Sequence, residues 1–219
     1  MRNNVALVTG GTKGIGAAIV GELVRREFRV ATVAREINPD SQQYRDALCL
    51  RCDLGHPDQI ARAIRDVRRQ LGDIGLLVNN AGLYCESPLD DLGDDAITEL
   101  VQVNVAGLIQ ITKACLPDLR ARHGLVINIA SCNVQAPPRS QAVYTASKYA
   151  VQGFSDSLRL EVNNAGVRVT TLYPGPVNTW AATSDEGLLR PDDIARTVTY
   201  IAELDPRIEI RDLRLAAIA

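Results

Sequence analysis

The stretch Val5-Ala6-Leu7-Val8-Thr9-Gly10-Gly11-Thr12-Lys13-Gly14-Ile15-Gly16 decides how this chain folds. It begins as an apolar run typical of a buried strand, turns through a cluster of glycines and leads into the start of an amphipathic helix. Strand, glycine turn and helix in this order are typical of a dinucleotide site. Gly10 permits the tight turn, Gly14 lets the backbone approach a pyrophosphate, and Gly16 lets the helix pack closely on the sheet. The spacing departs from G-x-G-x-x-G, so a turn without a ligand is the alternative.

Outward from this stretch, apolar runs alternate with amphipathic segments along the chain. Runs rich in Val, Ile and Leu predict strands over residues 4–9, 29–34, 47–52, 75–79, 124–130, 167–173 and 208–215. Apolar residues at three- and four-residue spacing predict helices over 15–27, 57–71, 94–116, 143–164 and 191–203, the third closed by Pro117. This alternation predicts an α/β fold with a Rossmann-type doubly wound sheet of about seven mostly parallel strands, flanked by helices on both faces. No linker or repeat interrupts the pattern, so residues 1–219 are expected to form a single domain.

Composition and charge argue against several other classes of protein. The 219 residues include 24 basic and 26 acidic side chains, so no general attraction to nucleic acid is expected. No apolar run reaches the roughly 20 residues of a membrane span, and a strand begins too early to leave room for a signal peptide, so a cytoplasmic protein without a membrane is expected. The five cysteines are odd in number and are expected to be reduced. The pair Cys49 and Cys52 has no second pair, so no metal site is expected.

Two basic residues indicate which dinucleotide the glycine turn would bind. An acidic residue after the second strand would bond a ribose 2′-hydroxyl, whereas a basic residue accepts a 2′-phosphate. This chain has Ala34-Arg35 there, and Lys13 in the glycine turn adds a second positive charge. Both residues favour NADPH over NADH. The alternatives are that Arg35 is a solvated charge at a strand end, or that it pairs with Glu36.

The segment Tyr144-Thr145-Ala146-Ser147-Lys148 opens a predicted helix, so Tyr144 and Lys148, four residues apart, share one face. An ammonium near a phenol favours the phenolate and is expected to lower the tyrosine pKa from its ordinary value near ~10, which makes proton transfer easier at neutral pH. The chain has 21 arginines but only three lysines, and two of them, Lys13 and Lys148, lie in these motifs.

These residues resemble those of the short-chain dehydrogenase/reductases, in the single-domain form of that family. The resemblance runs from residue 4 to about residue 205. Its further elements are Asp53 after the third strand, Asn79-Asn80-Ala81-Gly82 after the fourth, Asn104 in Val103-Asn104-Val105-Ala106-Gly107, Ser131 after the fifth, and Pro174-Gly175 followed by Thr179. Each motif alone could arise by chance, but their occurrence together, in order and at strand ends, is specific.

The resemblance implies that four residues are catalytic. Tyr144 would donate a proton to a substrate carbonyl oxygen as hydride arrives from a nicotinamide. Ser131 would stabilise the charge developing on that oxygen, Lys148 would bond the nicotinamide ribose and lower the tyrosine pKa, and Asn104 would hold a water that relays protons to Lys148. The alternative roles are a turn hydroxyl at Ser131, a helix kink at Asn104 and a helix-start aromatic at Tyr144.

The resemblance also implies a set of contacts with NADP(H). Asp53 and Leu54 would meet the adenine, residues 80–82 would line the adenosine ribose, and the segment from Pro174 to Thr179 would fix the nicotinamide. The alternatives are turn-forming prolines and a capping threonine. The full predicted set is Gly10, Thr12, Lys13, Gly14, Ile15, Gly16, Arg35, Asp53, Leu54, Asn80, Ala81, Gly82, Tyr144, Lys148, Pro174, Gly175, Val177 and Thr179.

The segment expected to cover the substrate is short, because only 11 residues, Trp180 to Arg190, separate Thr179 from a helix near Pro191. An open pocket suited to a bulky or carrier-bound substrate is therefore expected, although a short lid could also close over something small. The predicted pocket wall consists of Leu83, Tyr84, Cys132, Asn133, Gln135 and Trp180.

Self-association is expected along two of the predicted helices. Those at 94–116 and 143–164 resemble the usual dimer surface of the family, and their apolar spacing permits a homodimer or a homotetramer. The C-terminal run from Arg211 lacks the glycine pair with which many relatives end, which leaves open which further edge associates.

The leading hypothesis for the function is an NADPH-dependent reductase of a ketone or aldehyde, reversible in principle. One alternative is an alcohol dehydrogenase that works in the oxidative direction. Another is a non-catalytic NADP-binding sensor or scaffold, which would have no use for Ser131, Tyr144 and Lys148 together. An epimerase or dehydratase is disfavoured by the short chain.

Overall fold

The computed structural model describes residues 5–37, 46–179 and 187–218. Its strands are β1 (Val5–Thr9), β2 (Arg29–Ala34), β3 (Ala47–Arg51), β4 (Ile74–Asn79), β5 (Leu125–Ile129), β6 (Arg168–Pro174) and β7 (Asp212–Leu215). They form one sheet of order β3-β2-β1-β4-β5-β6-β7, in which every pair of neighbours is parallel. The doubly wound α/β fold is therefore confirmed.

Helices cover both faces of this sheet. They are α1 (Gly14–Arg25), α2 (Pro57–Leu71), α3 (Asp94–Val101), α4 (Leu108–Arg122), α5 (Ala142–Val162) and α6 (Pro191–Glu203). Val5 and Leu7 of β1 belong to a core shared with α2, α4 and α5, whereas Ala6 and Val8 belong to a core shared with α1 and α6. This division follows because successive side chains of a strand point to opposite faces.

The strand order places the functional loops together. It reverses on either side of β1, whose neighbours are β2 and β4. Ligands of open α/β sheets bind outside the carboxyl ends of the strands at such a reversal. The glycine turn follows β1 and the Asn80-Ala81-Gly82 loop follows β4, so both lie at this position.

The helix predicted over residues 94–116 differs from the structure in two ways. A π-helical segment, Gln102–Gly107, separates α3 from α4, and Pro117 lies inside α4 rather than closing it. Proline removes one helical hydrogen bond, but contacts with the rest of the fold stabilise the final turn. Arg68 Nε donates to both carboxylate oxygens of Asp118, at 3.0 and 2.9 Å, and Leu119 is fully buried.

The last strand is shorter than the predicted range of 208–215, because β7 begins at Asp212. The carbonyl oxygens of Ile208 and Ile210 accept hydrogen bonds from the side chains of Arg168 and Thr170, at 3.1 and 2.6 Å. Side chains of β6 therefore bind the segment that precedes the strand, where a regular ladder would use backbone N–H groups.

Among the described residues, one helical segment, Asp94–Arg122, is long and apolar enough by length and composition to cross a membrane, with a mean hydropathy of 1.2. Core helices of water-soluble folds pass the same test. In this structure α4 packs against β4, and 39% of the most apolar 18-residue stretch of the segment is buried.

Candidate active site

Four glycines between β1 and the first turn of α1 have the conformations or the close contacts that require glycine. Gly10 and Gly14 have φ of +66° and +54°, the left-handed region that favours glycine. A Cβ atom at Gly16 would lie 2.2 Å from the carbonyl oxygen of Gly10. The positive φ of Gly10 fits the tight turn predicted there, whereas a side chain at Gly16 is excluded by the turn itself and not by the sheet, as the prediction had it. Gly11, to which the sequence analysis gave no role, is as crowded, since its Cβ would lie 2.2 Å from Thr32 Oγ1.

Asn80 connects the glycine turn to the loop after β4. Its Nδ2 donates to the carbonyl oxygens of Thr9 and Gly10, at 2.9 and 3.2 Å. Thr9 Oγ1 in turn accepts the backbone N–H groups of Asn80 and Ala81, at 3.0 and 2.9 Å. The side chain of Asn80 thus fixes the shape of the turn that would hold a pyrophosphate.

Two further glycines bring segments of the predicted cofactor site close together. A Cβ atom at Gly14 would meet Thr179 at 3.4 Å, and one at Gly82 would meet Asn104 Oδ1 and Lys148 Nζ at 3.4 and 3.6 Å. Gly14 of the turn thus lies near Thr179, and Gly82 lies near Asn104 and Lys148, so parts of the predicted pyrophosphate, ribose and nicotinamide contacts are close together. These residues could hold a nicotinamide dinucleotide.

The two predicted basic residues lie before α1 and directly after β2. Lys13 is exposed. Arg35 forms an ion pair with Glu99 of α3, with 2.6 Å between Nη1 and Oε1, rather than with Glu36, the alternative that the sequence suggested. Asp53 Oδ1 accepts the backbone N–H of Gly55 at 2.8 Å, which fixes the loop predicted to meet the adenine.

The structure brings Ser131, Tyr144 and Lys148 together at the carboxyl end of β5. Burial raises the pKa of the Tyr144 phenol, and a hydrogen bond with Ser131 acts in the opposite direction. Lys148 Nζ lies 5.5 Å from the centroid of the Tyr144 ring and donates to the carbonyl oxygen of Ile129 at 3.0 Å. Burial lowers the pKa of Lys148 to about 8. The expected lowering of the tyrosine pKa is thus not the net effect in this structure, where desolvation dominates.

Asn104 lies in the π-helical segment, and its side chain is fully engaged. Its Oδ1 accepts the backbone N–H of Leu83 at 2.7 Å, and its Nδ2 donates to the Leu83 carbonyl at 2.9 Å and to Ser147 Oγ at 3.1 Å. Ser147 Oγ donates to the carbonyl oxygen of Tyr144 at 2.7 Å. Asn104 therefore positions the loop after β4, and Ser147, which the sequence analysis missed, connects it to Tyr144.

Beneath the site, Asn79 of the Asn79-Asn80-Ala81-Gly82 element belongs to a buried network of polar side chains that was not predicted. Asn79 Nδ2 donates to Thr112 Oγ1 and to Asn128 Oδ1, at 2.9 and 2.8 Å, and Asn128 Nδ2 donates to Ser155 Oγ at 2.8 Å. This network ties α4 and α5 to the ends of β4 and β5. Polar residues at the ends of otherwise apolar strands were the available signal.

Part of the predicted pocket wall forms a hydrogen-bonded rim beside Tyr144. The ring of Tyr84 meets the ring of Tyr144 edge-on, with 5.1 Å between centroids. Tyr84 OH donates to Glu86 at 2.5 Å and accepts a hydrogen bond from Gln141 Nε2 at 2.8 Å. Asn133 Nδ2 donates to Gln141 Oε1 at 2.7 Å. Glu86 and Gln141 were not predicted.

The other predicted wall residues have different surroundings. Leu83 is fixed by Asn104, Cys132 is half-buried, and Gln135 is exposed. Trp180 lies outside the described residues. Within the described ranges, no group of three or more His, Cys, Asp or Glu side chains could hold a metal ion.

Comparisons with known proteins show the family to which the chain is similar. The family model for short chain dehydrogenases matches residues 4–186. Dehydrogenase/reductase SDR family member 11 of Bos taurus is 32% identical to this chain, and the match covers 98% of this chain and 96% of that protein. Farnesol dehydrogenase of Aedes aegypti is 31% identical, and the match covers 96% of this chain and 94% of that protein.

Solved structures of the same kind superpose closely. An alcohol dehydrogenase from the archaeon Thermococcus sibiricus, complexed with 5-hydroxy-NADP, has a TM-score of 0.91 at 26% identity, covering 98% of this chain and 97% of its own. A metagenomic short-chain oxidoreductase in complex with NADP has a TM-score of 0.85 at 31% identity, covering 97% and 96%.

Proposed function

Because this chain belongs to the short-chain dehydrogenase family, we propose that it is an NADP(H)-dependent oxidoreductase that reduces a ketone or aldehyde to an alcohol. The observation that carries the proposal is the meeting of Ser131, Tyr144 and Lys148 next to the loop that Asn80 joins to the glycine turn. A non-catalytic sensor or scaffold would need the glycine turn and the other cofactor contacts alone.

Each side chain has a role that its surroundings support. A nicotinamide nucleotide held by these residues would supply a hydride to the carbonyl carbon of the substrate. Tyr144 then transfers its phenolic proton to the carbonyl oxygen, while Ser131 donates a hydrogen bond to that oxygen. Lys148 is buried beside the ring and fits the nicotinamide ribose. Because burial raises the pKa of Tyr144 above the ordinary value of a phenol, the group carries the proton that it would donate to the carbonyl oxygen.

Arg35 and Lys13 support NADP(H) as the cofactor, because a 2′-phosphate needs positive charge at the adenosine end. The NADP-type ligands of the two superposed structures point the same way. The remaining predicted contacts, from Thr12 and Ile15 in the turn to Val177 near the nicotinamide, belong to this proposal. We propose a cytoplasmic location because the five cysteines are free, as is usual in a reducing compartment.

The substrate is proposed to be a small molecule, or a carrier-bound carbonyl compound, that enters past Tyr84. We also propose a homodimer or homotetramer. An apolar groove between α3 and α5, lined by Leu89, Val101, Val105 and Val143, runs along the helices expected to associate. Exposed Tyr149 and Leu160 extend the apolar surface of α5.

The decisive experiment follows nicotinamide absorbance with NADPH and then NADH across ketones and aldehydes from small to carrier-linked. We expect turnover that prefers NADPH and that falls by about 10²–10⁴-fold in Tyr144→Phe. Turnover that is equal in Tyr144→Phe would overturn the mechanism. Tight NADPH binding with no turnover of any carbonyl or alcohol in the panel would favour the sensor.

A further inference from the structure

Arg35, on which the preference for NADP(H) rests, is already engaged by a carboxylate of this chain. Its Nη1 lies 2.6 Å from Oε1 of Glu99, which is 64 positions further along the chain. The two side chains are 49% and 54% exposed, so an anion from solvent can reach the guanidinium and displace the pair. The ion pair thus occupies the group that would receive a 2′-phosphate.

The position of Glu99 is set by a helix that borders the adenosine end. Gln102, three residues after Glu99 and therefore on the same face, reaches the loop after β3, where its Nε2 donates to the carbonyl oxygen of Gly55 at 3.4 Å. Glu99 itself reaches the residue after β2. Two side chains from neighbouring turns thus contact the two loops predicted to surround the adenosine, and the carboxylate is part of that wall.

We propose that Glu99 is a specificity-determining residue that competes with the 2′-phosphate of NADP(H) for Arg35. The inference rests on the proposed cofactor. A phosphate must either displace Glu99 from Arg35 or lie beside a second negative charge, and both lower its affinity. A ribose 2′-hydroxyl carries no charge and meets neither penalty. Glu99 therefore narrows the difference in affinity between NADP(H) and NAD(H).

The test uses the adenosine halves of the two cofactors and needs no turnover. Calorimetry measures the Kd of 2′,5′-ADP and of 5′-AMP for the full chain and for Glu99→Gln, Arg35→Ser and the double variant. Because exposed ion pairs contribute about 0.2–1 kcal/mol, Glu99→Gln is expected to tighten 2′,5′-ADP by roughly 1.5- to 5-fold and to leave 5′-AMP unchanged. The gain should vanish in the Arg35→Ser background and shrink as salt rises.

Asp95→Asn is the matched control, because it removes one negative charge from the same helix, one turn from Glu99. It is expected to change neither Kd. Weaker or unchanged binding of 2′,5′-ADP by Glu99→Gln would overturn the inference, as would an equal gain in Asp95→Asn. If the unaltered chain binds 2′,5′-ADP no better than 5′-AMP and Arg35→Ser changes nothing, the proposed cofactor itself is wrong, which is a different failure.

Discussion

At the glycine turn, parts of the chain approach each other closely because glycine has no side chain. Around Tyr144, in contrast, hydrogen bonds between buried polar groups position the side chains. In the first region Gly11 and Gly16 have no space for a single methyl group. In the second, Asn104, Asn128 and Lys148 are almost completely buried and rely on hydrogen bonds. The turn should therefore be sensitive to added volume, and the catalytic region to the loss of a hydrogen-bonding or charged group.

The two regions also differ in what their construction does to stability. Close backbone packing at the turn is compatible with a stable fold. Burial of an ammonium, in contrast, lowers stability, because the charged form loses its hydration. The catalytic region is thus expected to contain a group whose removal abolishes activity but stabilises the protein.

The largest loss of stability is expected for Asn128→Ala in the network beneath the catalytic region. The substitution removes the bonds to Asn79 and Ser155 and leaves a cavity, so the free energy of unfolding should fall by about 3 kcal/mol. Chemical denaturation followed by circular dichroism measures it. Asn164→Ala, at an exposed position after α5, is the control and should change stability by less than about 0.5 kcal/mol. Equal losses in the two variants would contradict a special role for the network.

Two glycines of α1 test the crowding of the turn. Gly16→Ala must displace the Gly10 carbonyl, so we expect a loss of roughly 1–3 kcal/mol in unfolding free energy together with loss of NADPH binding. Gly21→Ala has nothing within 4 Å of its new methyl group, and because alanine favours the helix it should stabilise the protein by about 0.5–1 kcal/mol with binding retained. Thermal unfolding and a fluorescence titration with NADPH measure both. Normal NADPH binding by Gly16→Ala would contradict the interpretation.

In the catalytic region, Lys148→Met is expected to raise the stability of the protein, whereas Asn128→Ala is expected to lower it. The pKa of Lys148 is about 8 in the folded protein against an ordinary 10.5, so at pH 7 the folded chain bears the full penalty of the buried charge. After allowance for the lost bond to Ile129, Lys148→Met should raise the unfolding free energy at pH 7 by about 2 kcal/mol while it abolishes turnover.

The pH dependence of the unfolding free energy tests whether the buried charge of Lys148 causes the difference in stability. Between pH 8 and 10.5 the unfolded chain keeps a proton that the folded chain has released, so the unaltered protein gains stability as the pH rises. The advantage of the Met variant should therefore shrink over that range. Lys113→Met, at an exposed position of α4, should show no such trend. A Met variant that is less stable at pH 7 would contradict the burial argument.

The fold could be predicted because its signals are local. Apolar runs indicate strands that are covered on both faces, and a four-residue spacing brings Tyr144 and Lys148 to one face of a helix. What could not be predicted depends on distant partners. Glu99 is far from Arg35 along the chain, and the continuation of α4 past Pro117 depends on Arg68, which belongs to another helix. The prediction that the pKa of Tyr144 is lowered was wrong for a related reason, because the shift follows from burial and not from the neighbouring residue alone.

The smallest effect is expected at Ser147, where the catalytic region depends on one hydroxyl. Its Oγ joins Asn104 Nδ2 to the Tyr144 carbonyl, so Ser147→Ala should leave Tyr144 in place but less firmly positioned. A neutral hydrogen bond contributes about 1 kcal/mol, which predicts a fall in kcat of roughly fivefold with an unchanged KM for NADPH. Ser157→Ala, at an exposed position of the same helix, should change neither value. If Ser147→Ala kept full kcat, Asn104 and Tyr144 would be positioned independently, and the buried chain of bonds would stabilise the fold without contributing to catalysis.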